Sequence, residues 1–136
     1  TGSTHWKYDE RGRVISETRR IDTATYWTQW TYDPQDRVLT QTYPGGNAGQ
    51  AGEVVTTAYG KWGHPATLTG TDNYVVKAMP DDAGRIDYFK LGGSDPAPVL
   101  ILDYKYYAWN TANGRGRLWE IKSGPPGSPA ARQNLI

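Results

Sequence analysis

The stretch that decides the fold is Trp6-Lys7-Tyr8-Asp9-Glu10-Arg11-Gly12-Arg13-Val14-Ile15, because it returns at Trp30-Thr31-Tyr32-Asp33-Pro34-Gln35-Asp36-Arg37-Val38-Leu39. Weaker copies follow. Tyr59-Gly60-Lys61-Trp62-Gly63-His64 keeps the Tyr and Gly, and Asp81-Asp82-Ala83-Gly84-Arg85-Ile86 keeps the Asp, Gly, Arg and aliphatic residue. Trp109-Asn110-Thr111-Ala112-Asn113-Gly114-Arg115-Gly116-Arg117-Leu118 repeats the sense with a longer turn. Taking the glycine slot at 12, 36, 63, 84 and 114, the intervals are 24, 27, 21 and 30 residues. Internal similarity at such a period is the signature of a repeat architecture, in which one copy cannot bury its own apolar face and neighbours must cover it.

Each copy reads as a hairpin. The Asp after the aromatic residue opens a type I turn by hydrogen-bonding the backbone ahead of it. The Gly three residues on supplies the left-handed residue that closes a short loop with a bulge. Asp36 replaces that Gly in the second copy, and Asp tolerates the same conformation. The flanks alternate with a period of two: Tyr26, Thr28, Trp30 and Tyr32 on one face, and Trp27, Gln29 and Thr31 on the other. Val99 to Trp109 is the longest strand candidate. Gly-, Pro- and Asp-rich breakers separate the copies, and no segment carries a 3.6-residue apolar stripe.

The fold class that follows is all-β: consecutive antiparallel hairpins forming a curved repeat sheet of about ten strands, with essentially no helix. The five hairpins are placed at about residues 5–21, 26–44, 53–70, 73–92 and 99–123, and residues 132–136 begin a further copy. Tyr8, Asp9, Gly12 and Arg13 carry the first turn, and Tyr32, Asp33, Asp36 and Arg37 the second. Tyr59 and Gly63 mark the third, Asp81, Gly84 and Arg85 the fourth, and Gly114 the fifth. The whole is read as a single segment of 136 residues whose two ends lie inside something longer.

Composition fits a thin sheet. Hydrophobic residues make up 37%, and the aromatics are 10 Tyr, 6 Trp and a single Phe, so nearly all of them carry a polar tip suited to a half-wet surface. Fifteen basic residues against 14 acidic leave a net charge of +1 with no run of either sign. A nucleic-acid partner is therefore not expected, since phosphate neutralisation needs a clustered basic footprint. No apolar run approaches the ~20 residues of a membrane helix. There is no Cys.

Constellations that carry chemistry are scarce, and no catalytic, cofactor or metal residue is assigned. His5 lies in a strand before the first turn, and His64 takes the arginine slot of the third. Asp9, Asp33 and Asp81 are turn formers, and the adjacent carboxylates Asp81 and Asp82 would point apart on a strand. Gly45 to Gly52 looks like a phosphate loop but lacks its Lys-Ser/Thr ending and a following helix. The aromatics leave two readings. Cross-strand ladders would stabilise the sheet by roughly 0.2–1 kcal/mol per pair. Alternatively, Trp30, Tyr32, Tyr106 and Trp109 would present flat rings on which a glycan could stack.

Tyr8-Asp9-x-x-Gly12-Arg13-Val14, with Tyr32-Asp33 and Arg37-Val38, resembles the YD repeat of RHS proteins. The closing Arg132-Gln133-Asn134-Leu135-Ile136 resembles the lead-in to another copy. The family includes bacterial RHS toxins, wall-associated YD proteins, the C component of Tc toxins and teneurins. There the repeats wind a β-sheet spiral into a hollow shell that encloses a toxin or serves cell-surface contact. The resemblance implies a non-enzymatic scaffold segment from a secreted or cell-surface bacterial protein. Its partners would be neighbouring repeats of the same parent chain, with a toxin domain or a glycan as further candidates. A freed sheet edge implies edge-to-edge self-association of the isolated piece. The self-cleavage run of toxin-releasing relatives, Asp-Pro-x-Gly-Leu, is matched by neither Asp33-Pro34 nor Asp95-Pro96, so self-cleavage is not assigned.

Overall fold

The computed structural model describes residues 2–46, 48–127 and 131–134, the last four by backbone alone. Eleven strands follow one another: β1 Gly2–Tyr8, β2 Val14–Ile21, β3 Ala24–Tyr32, β4 Val38–Pro44, β5 Ala51–Tyr59, β6 Pro65–Thr69, β7 Asn73–Pro80, β8 Ile86–Leu91, β9 Leu100–Tyr106, β10 Leu118–Gly124 and β11 Ala131–Asn134. No helix occurs among the described residues. The all-β repeat sheet expected from the sequence is the observed architecture. Leu135 and Ile136 lie outside the described residues.

The chain forms two compact units, Thr1–Ala58 with Thr69–Thr71, and Tyr59–Leu68 with Asp72–Ile136. In the first, β1 to β5 form an antiparallel meander in chain order. In the second, β7 to β11 do the same. Tight turns between successive strands force this order, since a short reversal leaves the next strand nowhere to pair but alongside.

One irregularity recurs. In four hairpins the register slips by one residue at the slot that precedes the turn. Tyr8 pairs Val14 while Lys7 pairs Ser16, and Tyr32 pairs Val38 while Thr31 pairs Thr40. Pro80 pairs Ile86 while Met79 pairs Tyr88, and Tyr106 pairs Leu118 while Lys105 pairs Glu120. Each is a bulge that puts one extra residue (Ile15, Leu39, Asp87 and Trp119) into the returning strand and redirects the backbone there.

The core is thin. Among the described residues the buried apolar side chains are Val55 and Ala78, with Pro80 and Pro98 also enclosed, and no large side chain is completely buried. Glu120 is buried and pairs with Lys122 at 3.2 Å. Trp6, Tyr8, Trp62 and Trp109 are each more than half exposed. Aromatic contacts do run across strands in the second unit: Phe89 meets Tyr104 edge-on at 6.0 Å, and Tyr107 meets Trp119 at 6.1 Å.

Two local readings of the sequence shift. The strand expected over Val99 to Trp109 ends at Tyr106, because Tyr107 N–H bonds the carbonyl of Arg117 and opens the fifth turn. Tyr106-Tyr107 therefore stands in the Tyr-Asp slot. In that turn the left-handed glycine beside the arginine is Gly116, at φ +75°, whereas Gly114 sits earlier, its Cα packed against Tyr107.

Candidate functional site

The repeated turn is an Asp–Arg clasp. Asp9 N–H bonds the Arg13 carbonyl, and Gly12 N–H bonds the Asp9 carbonyl, each at 3.0 Å. One Asp9 carboxylate oxygen accepts the backbone N–H groups of Arg11 and Arg13 at 2.9 Å, and the other accepts Arg13 Nε at 2.6 Å. The second copy reproduces this bond for bond: Asp33 Oδ1 takes the N–H groups of Gln35 and Arg37, and Oδ2 takes Arg37 Nε at 2.7 Å. The fourth does so again with Asp81, Ala83 and Arg85. In all three copies the short Asp side chain, folded over its own turn, meets the N–H groups two and four residues ahead. Gly12, Gly63 and Gly84 lie at φ near +80°, and Asp36 holds the same slot at +64°.

These contacts hold the carboxylates ionised. Asp9 sits below its ordinary value of 3.8 chiefly because the Arg13 N–H bonds it, with the Arg13 guanidinium adding to this. Asp33 is pushed up by partial desolvation, but the Arg37 guanidinium and backbone donors outweigh that and leave it lowered. Asp81 is lowered first by the Arg85 side chain.

The same arginine also joins one copy to the next. The Arg13 guanidinium lies 4.5 Å from the centroid of the Tyr32 ring, and Tyr32 Oη donates to the Val14 carbonyl at 2.6 Å. In the second unit Arg85 lies 4.1 Å from the Tyr106 ring, and Tyr106 Oη donates to the Ile86 carbonyl at 2.8 Å. Val14 and Ile86 are equivalent: each follows the arginine, at the bulge. The bulge thus offers a carbonyl to the next copy's phenol, and burial raises the Tyr106 hydroxyl's pKa. Further donors close both junctions. Arg11 and Arg13 reach Asp36 at 2.5 and 2.6 Å, and Arg85 reaches the Gly116 carbonyl at 2.9 Å while lying 5.7 Å from the Trp109 ring.

The third turn is built from other parts. Gly60 N–H bonds the His64 carbonyl and Gly63 N–H bonds the Gly60 carbonyl, so the backbone is the same. Gly60 stands in the Asp slot and His64 in the Arg slot. A Cβ on Gly60 would overlap the imidazole, so the ring fills the space a carboxylate would take. His64 Nδ1 is buried there without a hydrogen-bond partner.

Of the four rings read as glycan platforms, Tyr32 and Tyr106 are half-buried beneath arginines, and Trp109 is exposed beside Arg85. Trp30 lies in a shallow cleft of about 250 Å³ with Glu17, Arg19, Tyr26, Gln41 and Tyr43.

Comparison with known proteins agrees with this geometry. The family model described as RHS Repeat matches residues 8–48, which span the first two turns and the junction between them. No curated protein sequence matches. Among solved structures, the Tc holotoxin pore of Photorhabdus luminescens contains a chain that superposes with a TM-score of 0.73 at 21% identity over 99% of this chain. A TcdB2–TccC3–TEV structure superposes at 0.68 with 20% identity over 93%. This chain spans 7% and 6% of those chains, so the likeness is one of fold over a short stretch of much longer proteins. Residues 8–48 thus match the RHS repeat that Tyr8 to Val14 resembles, in a chain whose fold is shared with Tc toxin components.

Proposed function

We propose that the chain is a non-enzymatic scaffold segment, one stretch of a repeat sheet that forms the wall of a secreted or cell-surface bacterial shell enclosing a toxin or mediating contact. The observation that carries this reading is the recurring junction, in which the motif's arginine and tyrosine are consumed in fastening one copy to the next. Residues spent this way serve assembly of the sheet rather than turnover of a substrate. The natural partners are neighbouring repeats of the parent chain. β1 offers them an open edge, with Trp6 and Tyr8 exposed on it, and the isolated chain is expected to self-associate through that edge.

The test is limited proteolysis of the parent protein carrying its neighbouring repeats. A polypeptide enclosed by the wall resists protease until Arg13 and Arg85 are replaced by Ala, and then becomes sensitive. Equal sensitivity before and after would contradict enclosure. Light scattering that shows a strict monomer at high concentration would contradict the edge pairing.

A second reading, glycan binding, is favoured by the cleft around Trp30, where an indole and two phenols meet Glu17, Arg19 and Gln41. Glycan-array binding that disappears in Trp30→Ala, with the fold retained, would support it. A negative array with folded protein would remove it.

A further inference from the structure

One cavity in the second unit, of about 360 Å³, is lined by Trp62, His64, Pro80, Asp81, Asp82 and Gly84. These residues stand at the repeat positions that close the first junction. Trp62 and His64 occupy the slots of Arg11 and Arg13, and Pro80, Asp81 and Gly84 those of Tyr32, Asp33 and Asp36. In the first junction two guanidinium groups converge on Asp36, one of them lying over the Tyr32 ring. In the second unit's other junction Arg85 fills the equivalent space against Tyr106 and Trp109. At the cavity both arginines, the phenol and the receiving carboxylate are gone. His64 folds back over Gly60 instead of crossing.

We propose that this cavity binds a guanidinium group, the side chain of an arginine presented by another polypeptide segment. The walls have the right chemistry. Trp62 is 61% exposed, and its indole already accepts a cation, with the Lys61 ammonium 4.6 Å from the ring centroid. An aromatic face attracts a cation through its quadrupole, and guanidinium stacks flat where ammonium cannot. Asp81 is held by Arg85 at 2.5 Å, whereas Asp82 is exposed and makes no ion pair among the described residues. Asp82 is therefore the free carboxylate for a paired, charge-assisted hydrogen bond. Pro80, buried, supplies an apolar floor in place of the phenol.

The experiment is an NMR titration of the chain with N-acetyl-L-arginine methylamide and with its citrulline counterpart, a neutral side chain of the same planar shape. The Trp62 indole N–H, identified by its loss in Trp62→Phe, is the reporter. The arginine compound shifts this resonance with saturation near about 1 mM, as befits a single side chain. The citrulline compound binds about 2- to 5-fold more weakly, the share a cation contributes over an exposed ring. Asp82→Asn weakens the arginine compound to the same extent. The double variant His64→Arg with Gly84→Asp refills the space with the chain's own guanidinium and abolishes the shift. Equal binding of the two compounds, a shift that persists in the refilled variant, or no shift at all would overturn the proposal.

Discussion

Replacing Tyr32 with Phe isolates one bond of the junction. The ring stays beneath the Arg13 guanidinium, so the stacking 4.5 Å from its centroid survives. What disappears is the hydroxyl that donates to the Val14 carbonyl at 2.6 Å. Both partners are half-buried, so water only partly replaces the lost donor, and a neutral bond of this kind contributes about 1 kcal/mol. That corresponds to roughly a 5-fold fall in the folding equilibrium constant. The control is Tyr8→Phe. Tyr8 occupies the same motif slot, but it is 58% exposed and its hydroxyl has no partner among the described residues. Urea unfolding followed by circular dichroism should show a lower midpoint with unchanged slope for Tyr32→Phe and no change for Tyr8→Phe. Equal effects of the two substitutions, or none from Tyr32→Phe, would refute the idea that the phenol fastens copies together.

Acid should loosen the turns. The folded carboxylates of Asp9, Asp33 and Asp81 are lowered, so their contribution is complete above the ordinary value of 3.8 and is lost as pH falls through the lower folded values. Unfolding midpoints measured from pH 7 downward should stay level and then drop below about pH 4, and Asp33→Asn should flatten that acid limb. Gly84→Ala meets nothing within 4 Å but must hold φ at +78°, so it should cost about 1 kcal/mol on backbone grounds alone, with Gly84→Asn costing less; thermal unfolding separates the two. In Gly60→Asp the carboxylate displaces the imidazole, and the His64 ring resonances should move to solvent-like positions.

The hairpins were legible in sequence because their chemistry is local. An Asp that bonds the N–H groups two and four residues ahead, and a left-handed residue beside the arginine (Gly12, Asp36 or Gly84), leave a fixed spacing that Asp9, Asp33 and Asp81 all display. Two copies depart from the letter of the motif. Gly60 and His64 break the letter of the motif while keeping its backbone, since an imidazole over a bare Cα takes the place of a carboxylate with its arginine. In the fifth copy the longer turn moved the motif's phase, so that Gly116 holds the slot that spacing assigned to Gly114, and Tyr106 the tyrosine slot. The fastening of Arg13 to Tyr32 and of Arg85 to Tyr106 was not legible, because it depends on strand register and on a bulge that frees one carbonyl. The aromatic candidates divided on the same ground: Tyr32 and Tyr106 serve the junctions, while Trp30 lines a cleft.

The most direct test of the junction is tyrosine nitration of the folded chain by tetranitromethane, read residue by residue by mass spectrometry. Tyr8 should react quickly, while Tyr32 and Tyr106 stay protected until Arg13 or Arg85, respectively, is replaced by Ala. Nitration of Tyr32 and Tyr106 as fast as Tyr8, or protection that outlasts loss of the arginines, would contradict a repeat sheet fastened arginine to tyrosine.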